Sequence, residues 1–342
     1  LLPKPKTIKE QDGQMLLCHS THIVMTKEVA ETEMHAAKRL QEAIRQETGL
    51  ILPFSVGEVR EGDLSLGIAK TLPEQTYEIT IDEKGGQISG GDGAGVLYGV
   101  ETFCQIVQQC GGILPCVQIQ DAPDMPNRGY YFDQTRGRVL KLEELKKIAD
   151  RMCRYKLNQL QLYVEHTYLF RDFSEMWRDQ TPLTAEVILE LDSYCRERHI
   201  ELVPSLASFG HLCTLLSTKT YGDLCEMEDS WKEPFSFWNR MRYHTINVSD
   251  ERSLPLIKKM IAEYMQLFSS NKFNICADET FCLGKYKSKK LAEERGVHRL
   301  YIDYVKELAQ FLVENGKIPM FWGDIIWNSP ELMKELPESM IC

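Results

Sequence analysis

The sequence predicts an α/β protein in two parts: an N-terminal α+β accessory domain over residues 1–122, then a (β/α)8 TIM-type barrel over residues 123–342, of which five to six strands are present. Three observations carry this. Before Pro123, strands mix with two helices, the pattern of a sheet covered on one face. After Pro126, strand and helix alternate, which implies parallel βαβ units. Polar residues gather where successive strands of that second part end: Asp133, Glu165, Ser208, Asp278, Glu279 and Asp324. A β/α barrel lines its active face with its strand ends, whereas a doubly wound sheet concentrates ligand groups at one switch point.

In the first part, residues 16–25 are expected to form a strand. Residues 30–48 repeat apolar side chains at helical spacing (Ala36, Leu40, Ala43, Ile44) and stop at Gly49. Residues 64–68 and 77–81 have strand character, 82–86 are a turn, 87–89 begin the return strand, and 94–108 are a helix. In the second part, strands are expected at 130–133, 159–164, 201–206, 272–277 and 319–322, and Met340 begins a sixth. Helices are expected at 142–155, 185–198, 254–268 and 300–314, with a short one at 330–336 and a long insertion at 207–250. A closed barrel needs eight strands, so the polypeptide is expected to continue past Cys342. The alternative, an open sheet ending here, leaves a buried-type strand at an edge. With a start at Leu1 rather than Met, the genetic N-terminus is expected upstream, which leaves room for a removed signal peptide.

Composition excludes several classes. With 43% hydrophobic residues the chain affords a sizeable core. A formal net charge of −10 gives no general attraction to phosphate backbones or anionic lipid, so neither nucleic acid nor membrane is an expected partner. No apolar run approaches the roughly 20 residues that span a bilayer. The 11 cysteines include no Cys-x-x-Cys pair, which fits buried thiols in a reducing compartment, the cytoplasm, better than a disulfide framework. No Gly-x-Gly-x-x-Gly or P-loop follows a strand, and no His/Cys cluster has ligand spacing; His19 and His22 read as surface. No cofactor and no metal are expected.

Asp278-Glu279 is the sharpest feature. As a dipeptide it is no better than Asp82-Glu83, a solvated turn, or Asp250-Glu251, which suits a helix start. Its position differs, because it closes the apolar run Phe273-Asn274-Ile275-Cys276-Ala277. At the mouth of a buried strand, desolvation and mutual repulsion favour one protonated carboxyl beside an ionised partner. Glycosidic bond cleavage needs that combination. Adjacent residues on an extended chain point in different directions, so the pair does not readily flank one anomeric carbon as acid and nucleophile. It serves if the substrate brings its own nucleophile, as a 2-acetamido sugar does.

Here the sequence resembles glycoside hydrolase family 20. The 273–279 segment is similar to that family's Asp-Glu strand motif. Leu114-Pro115, Ile119-Gln120-Asp121-Ala122-Pro123 and Asn127-Arg128-Gly129 resemble its junction between accessory domain and barrel. Asp133-Gln134-Thr135-Arg136 resembles its first-strand Asp-x-x-Arg, and Leu202-Val203-Pro204 with Gly210-His211 its third-strand motif. Tyr77-Glu78-Ile79 through Gly99-Val100-Glu101-Thr102 resembles its accessory domain. The resemblance implies that Asp278 orients the acetamido group and Glu279 is general acid, then base. Arg136 would bind hydroxyls at C3 and C4, His211 would tune the acid, Trp322 would wall the acetyl pocket, and Asp324 would reach the sugar or support Glu279. The residues alone leave other readings open: an ion pair for Arg136, a structural histidine for His211, a core side chain for Trp322. One departure stands out. Many relatives carry Asp on the second strand, paired with the Gly-His histidine; this chain reads Tyr163-Val164-Glu165-His166-Thr167, a variant that resembles a bacterial subgroup. Either Glu165 replaces that Asp from the next position or His166 takes another role. Further pocket residues of the family, a Tyr, a Trp and a Glu, lie on later strands.

The expected activity is that of a retaining exo-β-N-acetylhexosaminidase acting on glycans or glycoconjugates that end in β-linked GlcNAc or GalNAc. The alternatives are a non-catalytic sugar-binding relative and a glycosidase of different sugar preference on the same scaffold. Trp231, Phe235, Phe237 and Trp238 of the insertion suit an aglycone platform and a homodimer contact equally.

Overall fold

The computed structural model describes residues 1–234 and 236–342; Phe235 of the insertion therefore lies outside the described residues. The chain forms two compact units: Leu1–Gly129 with Lys146–Gln159 and Tyr194–Ile200, and Tyr130–Leu145 with Leu160–Ser193 and Glu201–Cys342.

The first unit contains β1 (Thr7–Leu16), β2 (Ile23–Met25), α1 (Lys27–Thr32), α2 (Met34–Thr48), β3 (Phe54–Val56), β4 (Leu64–Ile68), β5 (Tyr77–Asp82), β6 (Gly85–Gly90), α3 (Gly93–Cys110) and β7 (Ile113–Asp121). Its mixed seven-stranded sheet has the order β1-β7-β5-β6-β4-β2-β3. The period-2 pattern of β5, with Tyr77, Ile79 and Ile81 buried, gives the sheet its apolar face. Helix α2 turns Ala36, Leu40 and Ile44 into the core and ends at Gly49, whose φ of +76° needs no side chain. Helix α3 lies close enough to β6 that a Cβ at Gly99 would meet Ile88 Cγ2 at 2.5 Å. Residues 146–159 join this unit through polar contacts. Arg39 pairs with Glu101, Asp150 Oδ1 lies 3.7 Å from Arg39 Nη1, and the Cys153 thiol donates to Glu101 at 3.4 Å.

The second unit contains β8 (Gly129–Asp133), α4 (Leu142–Arg154), β9 (Gln159–Val164), α5 (Ser174–Trp177), α6 (Ala185–Arg196), β10 (Glu201–Leu206), α7 (Cys213–Leu216), α8 (Phe237–Arg242), α9 (Ser253–Met265), β11 (Lys272–Asn274), α10 (Lys289–Arg295), α11 (Val297–Glu314) and β12 (Ile318–Met320). Some of these segments reach into the residues counted with the first unit. The five strands lie in chain order, β8 to β12, with β10, β11 and β12 paired in parallel. A parallel bridge from Met320 to Ile341 continues the sheet. Strand β9 is buried at every position and β10 at all but its first, the mark of a parallel sheet covered on both faces. This is the α/β class predicted, with the strands of a β/α barrel in sequence.

Three expectations need correction. The strand expected at 16–25 is two strands. Thr21 Oγ1 accepts from the Cys18 amide at 3.3 Å and folds a turn between them, and β1 and β2 sit at different places in the sheet. The helix expected at 30–48 is broken at Glu33, whose backbone (φ −121°, ψ 26°) leaves the helical region while its carboxylate takes His199 Nε2 at 2.8 Å. The strand expected at 272–277 ends at Asn274, for a reason given below. No disulfide joins any of the cysteines among the described residues. Among the described residues, no helix is long and apolar enough to cross a membrane.

Candidate active site

The end of β11 decides how Asp278 and Glu279 are presented. Asn274 Oδ1 accepts from the Cys276 amide at 2.8 Å, an Asx turn that peels the chain off the ladder. Cys276, Ala277 and Glu279 then adopt left-handed backbone, with φ of +58°, +60° and +49°. Each such non-glycine residue costs about 1–3 kcal/mol, so the turn must be held from outside. Ser208 Oγ donates to the Ile275 carbonyl at 2.6 Å, the Trp322 amide to Cys276 O at 2.9 Å and the Tyr301 hydroxyl to Ala277 O at 3.0 Å. Asp324 Oδ2 accepts the Glu279 amide at 3.0 Å.

The chain is therefore not extended here, and the expected divergence of the two side chains does not occur. They converge: Asp278 Oδ2 lies 3.2 Å and Glu279 Oε2 3.4 Å from His211 Nε2. His211 is almost fully enclosed (1% side-chain exposure) and itself left-handed, with φ +59°. Gly210 makes the approach possible, because a Cβ there would meet Asp278 O at 2.6 Å. Asp278 Oδ1 is buried without a hydrogen-bond partner among the described residues, and so is His211 Nδ1. By contrast, Asp82 accepts from the Lys84 amide in an exposed turn, and Asp250 is taken up by Arg252.

The pair opens on a cavity of about 390 Å³, lined also by Asp324, Gly323, Arg136, Tyr131, Tyr163 and Trp322. Asp133-Gln134-Thr135-Arg136 is a capped turn: Asp133 Oδ1 accepts the amides of Thr135 at 2.7 Å and Arg136 at 2.9 Å, and its Oδ2 holds Arg136 Nη1 at 3.0 Å. The Arg136 guanidinium lies over the Tyr163 ring, 4.8 Å from its centroid. Burial works against its charge, but Tyr163, Glu165 and Asp133 outweigh that and raise its pKa. The Tyr131 ring packs edge-on against Trp322 at 5.2 Å, leaving Trp322 39% exposed to the cavity and solvent. Burial first, then neighbouring groups, push the Tyr131 and Tyr163 phenols above their usual range, so both are neutral. Volume does not single this cavity out, since clefts of about 450 Å³ beside Arg39 and about 660 Å³ beside Trp231 also exist. What distinguishes it is the carboxylate pair, anchored at a strand end.

Comparison with known proteins decides the family. The description "Glycosyl hydrolase family 20, catalytic domain" matches residues 126–341, and "Glycosyl hydrolase family 20, domain 2" matches residues 1–122. The chain belongs to glycoside hydrolase family 20. It is 24% identical to a β-hexosaminidase of Porphyromonas gingivalis over 95% of this chain and 45% of that protein. A β-hexosaminidase of Vibrio furnissii is 26% identical over 82% of this chain and 48% of its own length. The chain thus spans about half the length of these relatives. In fold it resembles the chitobiase of Flavobacterium johnsoniae (TM-score 0.85, 20% identity, 98% of this chain and 54% of that one). The β-N-acetylhexosaminidase of Bacteroides fragilis is similar too (TM-score 0.79, 19% identity, 99% and 69%).

Within this family-20 chain, the cavity gathers Asp278, Glu279, Arg136, Trp322 and Asp324 of the predicted residues, with His211 enclosed behind the pair. Glu165 and His166 do not line it. Glu165 is 2% exposed and does not replace the second-strand Asp, because its contacts run to Tyr163, Arg136 and Arg240 rather than to His211. His166 is buried, and its Nδ1 has no hydrogen-bond partner among the described residues; burial, then the Arg240 charge, push its pKa down to about 4, so it is neutral. Asp324 supports Glu279 through its amide, and the ion pairs weighed for Arg136 are present. Sequence reasoning missed Tyr131 and Tyr163. The signal was there: each stands two residues before a strand-end acid, Asp133 or Glu165, and side chains two apart on a strand share a face. No group of three or more His, Cys, Asp or Glu among the described residues is placed to hold a metal.

Proposed function

We propose that this chain carries the catalytic machinery of an exo-acting, retaining β-N-acetylhexosaminidase that removes terminal β-linked GlcNAc or GalNAc from glycans or glycoconjugates. The observation that carries it is Asp278. One oxygen is held by His211 and the other is buried beside the cavity with no hydrogen-bond partner among the described residues, where the N–H of a 2-acetamido group would satisfy it. Both carboxylates reach the same imidazole nitrogen, so they share a wall of the cavity rather than facing each other across an anomeric carbon. That arrangement suits a nucleophile supplied by the substrate.

The acetamido oxygen attacks C1 while the C1–O bond to the aglycone breaks. The departing oxygen keeps the bonding pair and takes the proton of Glu279. Asp278 accepts the amide N–H and stabilises the positive oxazolinium. Water then attacks C1, Glu279 takes its proton, and the ring reopens with the β-configuration restored. Arg136, held by Asp133 and Glu165, offers its fork to vicinal hydroxyls, and Trp322 against Tyr131 gives an apolar wall for the acetyl methyl.

A second reading has its own observation. His211 Nδ1 has no hydrogen-bond partner among the described residues, so none of them backs this histidine with an acid, and a sugar-binding protein without turnover fits that gap. Assay of the full-length protein separates the two. An aryl N-acetyl-β-glucosaminide or galactosaminide should be hydrolysed with retention, and the matching β-glucoside, which lacks the acetamido group, should not. Binding of the acetamido sugars with no hydrolysis would establish the second reading, and equal hydrolysis of the β-glucoside would sink the first.

A further inference from the structure

Glu165 directly follows β9 and is 2% exposed, so both its oxygens need partners. Its Oε1 accepts from the Tyr163 hydroxyl at 3.1 Å and lies 3.2 Å from Arg136 Nη2. Its Oε2 accepts from Arg240 Nη2 at 3.0 Å. Arg136 is thus gripped on both nitrogens of its fork, Nη1 by Asp133 and Nη2 by Glu165. Arg240 belongs to α8, the short helix of the 207–250 insertion, started by Ser236 capping the Asn239 amide at 3.0 Å. Its side chain is 17% exposed and turned inward, unlike Phe237 and Trp238 on the same helix. The two acids Asp133 and Glu165 balance the two arginines.

We propose that Arg240 is a positioning residue for Arg136: it acts through Glu165, so that the insertion sets the affinity of the cavity for its sugar. The inference rests on the sugar-binding reading of that cavity. Without Arg240, one oxygen of a buried carboxylate loses its only cationic partner among the described residues, and His166, 3.9 Å away, is neutral and supplies no charge. Glu165 then regains a partner by rotating, and that change loosens Arg136 Nη2. Arg136 meets sugar hydroxyls away from the bond being broken. The defect therefore falls on binding in ground and transition state alike, which raises KM more than it lowers kcat.

The test is a double-mutant cycle in the full-length protein with an aryl N-acetyl-β-glucosaminide. Arg240→Ala should raise KM about tenfold, with kcat within about threefold of wild type. In an Arg136→Ala background the same change should add less than about twofold, because the residue it acts through is gone. Arg240→Lys keeps the charge and should fold where alanine does not; its smaller rise in KM should vanish in the same background. Either variant with the KM of wild type, or with the same factor in both backgrounds, overturns the proposal: the first denies the role, the second makes it a general packing effect. A wild-type protein that neither binds nor hydrolyses acetamido sugars would instead remove the functional reading itself.

Discussion

Glu279→Gln should lower kcat on an aryl N-acetyl-β-glucosaminide by about 10²–10⁴-fold with KM little changed. The substitution is isosteric. It leaves the backbone amide on Asp324 and the left-handed turn intact, and it keeps an acceptor within reach of His211. What it removes is the transferable proton, and that loss belongs to the transition state alone. The size of the effect should follow the leaving group. A nitrophenolate leaves with little help, so the loss is smallest there, and it grows for an alkyl or sugar aglycone that must be protonated to depart. An undiminished kcat, or a loss independent of the leaving group, would exclude Glu279 as the acid.

Asp278→Asn should be nearly as damaging, about 10²–10³-fold in kcat, through a different step. The carboxylate is anchored on one oxygen by His211 at 3.2 Å while the other is buried with no hydrogen-bond partner among the described residues. An amide there carries no charge to stabilise the oxazolinium, and its NH2 end would oppose the substrate N–H. A stable N-acetyl thiazoline mimics that intermediate, so its inhibition constant should worsen in step with the fall in kcat/KM, as for a transition-state analogue. Loss of turnover with unchanged thiazoline inhibition would assign Asp278 to folding rather than to the intermediate.

Much of this was legible in the amino-acid order, for identifiable reasons. Strands β4, β9 and β10 have the predicted limits because leucines recur within each short segment between turns. Strand β7 escaped notice, although it pairs with both β1 and β5, because Pro115, Gln118 and Gln120 interrupt its apolar pattern. Ile275, Cys276 and Ala277 read as more strand, yet two of them are left-handed. Apolar periodicity does not encode the sign of φ; here it is set by Ser208, Tyr301 and Trp322, all remote in sequence. The candidate site was visible as strand-end polarity, but side-chain direction was not. Glu165 and His166 are polar and near the right place, and both turn into the interior. Arg240 lies in an insertion with no periodicity, where nothing marks one arginine as turned inward while Phe237 and Trp238 stay exposed.

The central claim is that the substrate's own acetamido oxygen is the nucleophile, with Asp278 and Glu279 serving it from one wall. Successive fluorination of the acetyl methyl withdraws electrons from that oxygen while changing the group's size little. Measuring kcat/KM for aryl β-glucosaminides bearing acetyl, monofluoroacetyl, difluoroacetyl and trifluoroacetyl groups is therefore the most direct test. A steep, monotonic fall along the series is the predicted result. A flat series, with wild-type turnover retained for the trifluoroacetyl sugar, would contradict it and place the nucleophile on the protein or on water.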